Sequence, residues 1–244
     1  MPDQQRTLVI VPTYNELDSL ESIVHRIRAA VPAADLLVVD DASPDGTGAL
    51  ADRLASVDPA ITVLHREGKD GLGRAYLAGF DHALARGYTH IVEIDADGSH
   101  DPAELPAMLD LARTADLVIG SRWVAGGAVR NWPWLRQAIS RAGNAYSRAV
   151  LRSRIRDITA GYRVFSANAL RSLHLDDVSS QGYCFQVELA WRLERAGRTV
   201  VEHPITFVER ENGQSKMHLG IVLEALLRVT VWGMTGTPSS KSVR

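Results

Sequence analysis

The fold is decided by the stretch TLVIVPTYNE at positions 7–16, in which an unbroken apolar run ends in polar residues. Consecutive β-branched and aliphatic residues are typical of a strand that is covered on both faces, as in a parallel sheet flanked by helices. The next residues, Leu17–Ala30, carry apolar side chains at helical spacing. The stretch therefore predicts a strand followed by a helix, with polar residues at the carboxyl end of the strand.

The same alternation of strand and helix continues through the first half of the chain. It predicts a mostly parallel central sheet flanked by helices, which is an α/β fold. Ligands of such sheets bind outside the carboxyl ends of the strands, so the polar residues there are the candidates for function. The further predicted strands are 36–39, 61–64, 90–94 and 117–119, and the further predicted helices are 46–55, 72–85 and 102–112.

After Ser121 the pattern becomes mainly helical. We find no linker or repeat, and therefore predict one domain over residues 1–234 with a helical C-terminal elaboration. The Ser-, Thr- and Pro-rich tail at 235–244 is predicted to be disordered. The predicted helices of this half are 134–151, 182–195 and 219–233, with short strands at 199–202 and 205–208.

Composition limits the class of protein. With 244 residues, 45% hydrophobic and 23% charged, the chain has the composition of a globular protein with a substantial core. The single cysteine, Cys184, excludes an intramolecular disulfide and fits a reducing compartment. The polar N-terminus lacks the regions of a signal peptide, and no uninterrupted apolar run reaches about 18 residues. We therefore expect a cytoplasmic protein without a membrane span.

The charge of the chain is unevenly distributed. Net charge is −2, but the segment from Arg122 to Arg156 contains eight arginines and no acidic residue, which leaves 19 basic and 29 acidic side chains elsewhere. Such a block predicts a localised anionic partner, such as phosphate or lipid head groups. A solvated arginine-rich helix is the alternative. The eight residues are Arg122, Arg130, Arg136, Arg141, Arg148, Arg152, Arg154 and Arg156.

The motif HIVEIDADGSH at positions 90–100 places two aspartates after the fourth predicted strand. Side chains two residues apart in an extended chain share a face, so Asp95 and Asp97 are expected to converge. Two adjacent carboxylates attract a cation, and their hard oxygen ligands suit Mg²⁺ or Mn²⁺. Such an ion also binds substrate phosphates, so a diphosphate is the expected ligand. An exposed acidic turn is the alternative.

Other classes of nucleotide-binding protein are excluded by their motifs. The chain has no G-x-x-x-x-G-K-[ST] sequence, and its glycines at 68, 71, 73 and 79 neither follow the first strand nor form G-x-G-x-x-G. It is therefore neither a P-loop protein nor a Rossmann dehydrogenase. A sugar-nucleotide pyrophosphorylase would need a glycine-rich basic loop after the first strand, whereas residues 12–16 are acidic and contain no glycine. We expect no nucleic-acid partner.

Several motifs together resemble those of the inverting family 2 glycosyltransferases, which have the GT-A fold. Within that family the chain is similar to the dolichol-phosphate and polyprenol-phosphate mannose synthases, over roughly residues 7–234. The late segment FVERENGQSK at 207–216 is the most discriminating part of this resemblance. The other motifs are VPTYNE at 11–16, VDDASPDG at 39–46, DADGSH at 95–100, GSR at 120–122 and DITAGYR at 157–163.

The resemblance implies a set of site residues. It implies catalytic roles for Asp95, Asp97 and Arg122, with Asp97 as the direct metal ligand beside Asp95. Ser99 departs from the family pattern, because some members have a larger amide ligand there. The remaining assignments are Pro12, Tyr14, Glu16, Val39 and Asp41 for the nucleoside, Asp95, Ala96 and Asp97 for the diphosphate and metal, Arg122, Arg210 and Lys216 for donor phosphates, and Arg122, Arg136 and Ser140 for the acceptor phosphate.

The resemblance also implies an activity, the transfer of mannose from GDP-mannose to a polyprenyl monophosphate with inversion at the sugar carbon. A phosphate monoester is mostly dianionic at neutral pH, so this acceptor needs no dedicated general base. A glucosyl- or N-acetylhexosaminyltransferase that uses a UDP-sugar is one alternative. A non-catalytic lipid-phosphate or nucleotide-binding protein of the same fold is another.

The expected acceptor lies in a membrane, so we expect peripheral association with the cytoplasmic face. The arginine segment would contact anionic lipid, and Trp132, Trp134 and Trp232 are candidates either for the interface or for the core. The last predicted helix, 219–233, is apolar except for a narrow stripe. It is expected to pack on the domain, on a membrane-anchoring partner protein or in the head-group region.

Overall fold

The computed structural model describes residues 5–178, 183–209 and 219–236. Within these residues the chain forms strands and helices in alternation, as predicted. The strands are β1 Thr7–Thr13, β2 Asp35–Asp40, β3 Ile61–His65, β4 His90–Glu93, β5 Leu117–Ser121, β6 Ala128–Arg130, β7 Arg163–Ser166, β8 Val200–Pro204 and β9 Thr206–Val208. The α-helices are α1 Leu17–Ala30, α2 Thr47–Val57, α3 Leu72–Ala85, α4 Leu105–Leu111, α5 Trp134–Leu151, α6 Ala167–Ser172, α7 Tyr183–Arg195 and α8 Leu219–Thr235.

The described strands form one seven-stranded sheet and one two-stranded sheet. The large sheet has the order β3-β2-β1-β4-β7-β5-β8, and the small sheet pairs β6 with β9. Strand β7 runs antiparallel to both of its neighbours, β4 and β5, while the other pairs are parallel. The prediction of a mostly parallel sheet flanked by helices is confirmed. The sequence did not predict β6, β7 or α6, which are all short.

Strand β1 is an inner strand of the sheet, between β2 and β4, and is buried along its whole length. Its alternate side chains enter two separate apolar cores, Leu8 and Ile10 on one face and Val9 and Val11 on the other. Each such side chain stabilises the fold by about 1.5–3 kcal/mol relative to exposure. The consecutive apolar residues of the sequence therefore have the two-sided burial that they predicted.

The strand register aligns the carboxyl ends of neighbouring strands at one edge of the sheet. In the parallel pair of β1 and β2, Pro12 lies opposite Val39 and Thr13 lies opposite Asp40. On the other side of β1, Ile10 lies opposite Glu93, the last residue of β4. The loops that follow these three strands therefore leave the sheet at the same edge.

Helix α5 has the predicted bounds, but its apolar side faces outward. Trp134, Leu135 and Ile139 are 78%, 55% and 45% exposed, whereas Asn144 and Ser147 on another side of the helix are buried. The buried side is polar because the Asn144 amide donates to the Ser140 carbonyl and to the Thr159 hydroxyl. The helix therefore packs on the domain through these hydrogen bonds and, at its C-terminal end, through Leu151 in the apolar core, while the apolar residues of its first turns face solvent.

Helix α8 packs against the C-terminal half of α5, where the Tyr146 and Thr230 hydroxyls are 2.5 Å apart. Trp232 is buried and stacks on Trp191, so this tryptophan belongs to the core, unlike the exposed Trp134. In the described part of the chain, no helix has the length and apolarity required to cross a membrane. Of the predicted tail, residues 237–244 lie outside the described residues.

Candidate active site

The first two loops at the carboxyl edge are held together by Asp40. Its Oδ1 atom accepts hydrogen bonds from the hydroxyls of Thr13, at 2.9 Å, and of Ser43, at 2.6 Å. Ser43 in turn accepts the main-chain N–H of Asn15. Asp40 is buried, and a Cβ atom on Gly48 would lie 2.9 Å from its Oδ2 atom. Asp40 therefore positions the loops, which leaves the neighbouring Asp41 as the ligand candidate.

The residues that the resemblance assigns to the nucleoside lie along this edge. Pro12 and Val39 are buried neighbours in the sheet. Tyr14 is half-buried, and the Lys69 ammonium lies 4.0 Å from the centre of its ring. Asp41 is buried and forms an ion pair of 2.6 Å with Arg66. Tyr14 and the Asp41–Arg66 ion pair are therefore the groups that this edge offers to a base or ribose.

Glu16 lies at the start of α1, on the same edge. Its carboxylate accepts a hydrogen bond from the Ser19 hydroxyl at 3.1 Å, and its main-chain N–H donates to the Thr47 hydroxyl. These contacts orient the Glu16 carboxylate between the first two loops. Its assignment to the nucleoside stays a prediction.

The loop after β4 differs in conformation from the expectation. Strand β4 ends at Glu93, and Ala96 and Asp97 lie in a turn instead of an extended chain. The Asp97 carboxylate accepts the main-chain N–H of Ser99 at 3.0 Å, and Gly98 has a φ of +74°, which favours glycine. Ala96 is buried in the core. The directions of the Asp95 and Asp97 side chains are therefore set by this turn, with the buried Ala96 between the two residues, and not by the alternation of an extended strand.

Tyr76 of α3 is a contact of Asp95 that the sequence did not reveal. Its hydroxyl donates to the Asp95 carboxylate at 3.3 Å. Burial raises the pKa of Tyr76 well above its usual value, and the charges of Asp95, Glu93 and Asp97 raise it further. The hydroxyl therefore stays a hydrogen-bond donor, and three carboxyl groups lie within electrostatic reach of it.

His100 lies on the other side of Asp95. Its Nε2 atom is 3.6 Å from the Asp95 carboxylate, and its ring packs against Tyr162 and Phe207. The side chain is buried, and its Nδ1 atom has no hydrogen-bond partner among the described residues. Tyr76 and His100 together hold the Asp95 carboxylate in place.

The carboxylates suit a divalent cation that is shared with a substrate. Among the described residues, no cluster of three His, Cys, Asp or Glu side chains could hold a metal alone. Mg²⁺ and its close analogues bind through one or two carboxylates and take their remaining ligands from water and substrate phosphates. Asp95 and Asp97 are the right number and kind of ligands for that mode of binding.

A buried pair of ionisable residues lies beneath this loop. Glu93 of β4 lies opposite Arg163 of β7, and both are fully buried. The Arg163 guanidinium donates three bonds of 2.7 Å to the main-chain carbonyls of Ala160, Ile158 and Gln186. Burial raises the pKa of Glu93 to about 8, although Arg163 opposes this shift. Glu93 is therefore mostly protonated at neutral pH.

We predict that Glu93→Gln removes a pH dependence of stability. The pKa of Glu93 rises from 4.5 in the unfolded chain to about 8 in the fold. Its contribution to stability is therefore complete below pH 4.5 and is lost as the pH rises through about 8, with a slope of up to about 1.4 kcal/mol per pH unit. Urea unfolding at pH 5.5 and 7.5 should show the wild-type protein losing stability relative to Glu93→Gln. If the free energy of unfolding changed equally with pH in the wild type and in Glu93→Gln, the prediction would be contradicted. It would also be contradicted if Glu21→Gln, which changes an exposed residue, removed the same pH dependence.

Arg122 is the last residue of the GSR motif, directly after the end of β5, and is almost completely buried. Its Nε and Nη2 atoms donate to the two oxygens of Asp157, both at 2.7 Å, and its main-chain N–H donates to the same carboxylate. Asp157 belongs to the DITAGYR motif, but the sequence assigned it no role. The guanidinium also lies within 6 Å of the ring centres of Trp123, Trp132 and Phe207. Arg122 is thus fixed rather than mobile.

The other residues assigned to phosphates are at the start of α5. The Arg136 guanidinium forms an ion pair with Glu209 and lies 4.4 Å from the centre of the Trp132 ring. Ser140 follows one turn later and is half-buried. The structure thus brings Arg122 and Arg136 to the same aromatic group, Trp132. Arg210 and Lys216 lie outside the described residues.

The fold and the site together define an α/β protein whose carboxylates and polar side chains gather at the carboxyl edge of a mostly parallel sheet. The chain belongs to glycosyl transferase family 2, whose family model matches residues 8–173. It is 57% identical to the undecaprenyl-phosphate mannosyltransferase of Micrococcus luteus, with 94% of each chain covered. It is 56% identical to the polyprenol monophosphomannose synthase of Mycolicibacterium smegmatis, with 95% of this chain and 88% of that chain covered.

A solved structure supports the same fold. The mannosyltransferase of Pyrobaculum calidifontis, in complex with GDP-Man and Mn²⁺, has a TM-score of 0.59 with this chain at 17% sequence identity. The comparison covers 99% of this chain and 77% of that one. The predicted GT-A fold is therefore confirmed.

Proposed function

We propose that the protein transfers mannose from GDP-mannose to a polyprenyl monophosphate and forms polyprenyl-phosphate mannose. The observation that carries this proposal is the identity of 57% and 56%, over nearly the whole chain, to two enzymes named for mannose transfer to undecaprenyl phosphate and polyprenol phosphate. The proposed acceptor follows from these names.

The proposed donor is GDP-mannose, and a UDP-sugar is the alternative. The structural relative solved with GDP-Man supports the guanine nucleotide. In this chain the donor would lie along the carboxyl edge, with its nucleoside near Tyr14, Glu16 and Asp41 and its diphosphate near Asp95 and Asp97. Pro12 and Val39 have buried side chains, so their part in this site is to position Tyr14 and Asp41.

Asp97 and Asp95 are the proposed ligands of a divalent cation, Mg²⁺ or Mn²⁺. When bound, this cation would neutralise charge on the donor diphosphate. The chain itself holds the two carboxylates in place through the Ser99 main-chain N–H and the Tyr76 hydroxyl. Tyr76 stays protonated because of burial and the nearby carboxylates, so it remains a donor to Asp95 across the physiological pH range.

The acceptor phosphate is proposed to bind near Arg122, Arg136 and Ser140. Because the phosphate is already ionised, the chain needs to orient it rather than remove a proton. Asp157 fixes Arg122, and the Arg122 and Arg136 guanidinium groups both lie close to the Trp132 ring, at 5.4 and 4.4 Å from its centre. Such fixed cations stabilise charge without reorganising during the reaction. Arg210 and Lys216 remain proposed contacts of the donor phosphates.

We propose peripheral association with the cytoplasmic face of a membrane, where the acceptor lies. The support is the outward apolar side of α5, with Trp134, Leu135 and Ile139 exposed beside an arginine-rich segment. Exposed apolar and basic side chains on one helix are typical of interfacial membrane binding. A membrane-anchoring partner protein stays part of this proposal.

Transfer can be tested with radiolabelled GDP-mannose and a short-chain polyprenyl phosphate in detergent. We expect label in the organic phase only when Mg²⁺ or Mn²⁺ is present, and loss of that label with EDTA. The non-phosphorylated polyprenol is the control acceptor, and UDP-glucose and UDP-N-acetylglucosamine are the control donors. More label from a UDP-sugar than from GDP-mannose would refute the proposed donor, and labelling of the free alcohol would refute the proposed acceptor.

A further inference from the structure

A cavity of about 270 Å³ lies between α5 and the end of β5. It shares Arg122 with the site described above, and its other lining residues have no individual role in that site. Four of its lining residues are arginines, and none is acidic. The arginines are Arg122, Arg141, Arg148 and Arg156, and the other lining residues are Trp123, Val124, Gly127, Asn144 and Ala145.

The arginine block of the sequence divides into separate groups in the structure. Arg122 and Arg136 pair with carboxylates. Arg141, Arg148 and Arg156 form no ion pair with any described residue, yet all three line this cavity. All three are exposed, so solvent screens their mutual repulsion, but together they give the cavity a positive potential that attracts an anion.

The acidic groups beside the cavity are already engaged. Asp157 is fully buried and binds Arg122. Glu202 accepts the main-chain N–H groups of Arg156 and Asp157 through its two oxygens, at 2.8 and 2.9 Å. Neither carboxylate lines the cavity. The charge of Arg122 is therefore compensated by Asp157, whereas those of Arg141, Arg148 and Arg156 are not paired with any described carboxylate.

The lining is also ordered by its own contacts. The Arg141 guanidinium lies 4.6 Å from the centre of the Trp123 ring, which restricts its orientation. Asn144 is buried and fixed by two donated hydrogen bonds. A Cβ atom on Gly127 would lie 2.6 Å from the Ser121 carbonyl oxygen, so this side of the cavity needs a glycine. The buried Trp123 indole N–H has no acceptor among the described residues.

We propose that this cavity binds the phosphate group of an anionic ligand, and that it is a site additional to the proposed acceptor contacts of Arg136 and Ser140. Arginine is the side chain that best matches phosphate, because its planar donors can bind two oxygens at once. The volume is below the range of about 300–1,000 Å³ that is usual for whole small-molecule ligands. A phosphate group fits this space, whereas a complete sugar nucleotide does not.

Two sources of phosphate share this chemistry, the head group of an anionic membrane lipid and free inorganic phosphate. The double variant Arg141→Gln/Arg148→Gln removes two charges from the cavity lining. The double variant Arg152→Gln/Arg154→Gln removes two exposed charges of the same segment that do not line it, and is the charge-matched control. Matched circular dichroism and melting temperatures would show that both variants fold.

Binding is measured with phosphatidylcholine vesicles with and without phosphatidylglycerol, and separately with inorganic phosphate by calorimetry. For a lipid head group, we expect the cavity variant to bind phosphatidylglycerol vesicles about thirtyfold more weakly, from about 1 kcal/mol for each arginine at an anionic surface. The control variant should lose clearly less of its affinity for these vesicles. For free phosphate, only the cavity variant should lose the calorimetric signal. Equal losses in the two variants, or no loss with either probe, would overturn the proposal.

A third measurement separates this site from the acceptor site. Transfer to a short-chain polyprenyl phosphate in detergent should keep its KM for the acceptor in the cavity variant. A raised KM for the acceptor would show that the cavity belongs to the acceptor site, and it would overturn the proposal of an additional site. The vesicle and calorimetric measurements do not require transfer, so they remain informative even if the proposed function fails.

Discussion

Replacement of Asp97 by Asn should reduce mannose transfer at least about a hundredfold while the protein remains folded. Asn can still accept the Ser99 main-chain N–H that the Asp97 carboxylate accepts at 3.0 Å, so the turn is preserved. What is lost is one negative charge beside Asp95, and with it a hard ligand for a divalent cation. Initial rates measured over a range of Mn²⁺ and Mg²⁺ concentrations would show both a lower maximum and a higher metal requirement.

The control for this prediction is Asp110→Asn, which removes a carboxylate from the exposed face of α4. It should transfer mannose at the wild-type rate. Wild-type activity in Asp97→Asn at saturating metal would mean that Asp97 is not a ligand. If Asp95→Asn were inactive and Asp97→Asn active, the direct ligand would instead be Asp95, which Tyr76 and His100 hold in place.

Replacement of Asp157 by Asn should lower the free energy of unfolding by about 3–5 kcal/mol. The Asp157 carboxylate is completely buried and takes two side-chain bonds and one main-chain bond from Arg122. Without it, a nearly buried guanidinium keeps its charge and loses the negative charge that compensates it in Asp157. Equilibrium unfolding in urea at neutral pH measures the change.

The contrast is again Asp110→Asn, since Asp110 pairs with Arg113 at 3.7 Å on the surface, where such pairs contribute about 0–1 kcal/mol. The double variant Asp157→Leu/Arg122→Met should be more stable than Asp157→Asn, because it removes the buried charge together with its partner. A change below about 1 kcal/mol for Asp157→Asn would show that water solvates Arg122 in the folded protein.

Most of the large sheet could be predicted, because β1, β2 and β5 carry apolar residues at consecutive positions. Helix α3 and helix α5 have the predicted bounds, since each has a continuous helical period. Strand β7 could not be predicted in this way, because it has only four residues and runs directly into α6. The apolar period of α5 identified the helix but not which of its sides packs on the domain.

The position of the candidate site at the sheet edge could be predicted, but the residues that contact its side chains could not. The polar residues after β1, β2 and β4 meet at one edge because the parallel register places them there. Tyr76 contacts Asp95 from 19 residues away, and Asp157 contacts Arg122 from 35 residues away. Such contacts depend on how elements pack, and the sequence carries no periodic signal for them. Their effect is to convert a set of loop residues into a rigid arrangement.

The antiparallel position of β7 between β4 and β5 has a consequence for biosynthesis. The edges of β4 and β5 that face each other are joined only through residues 163–166. A nascent chain that has left the ribosome up to residue 160 therefore holds one edge of β4 and both edges of β5 without their partners, because β8 has not emerged either, although five of the strands of its main sheet are already complete. We infer that closure of the sheet waits for this short strand, and that the growing polypeptide is most exposed to aggregation just before it emerges.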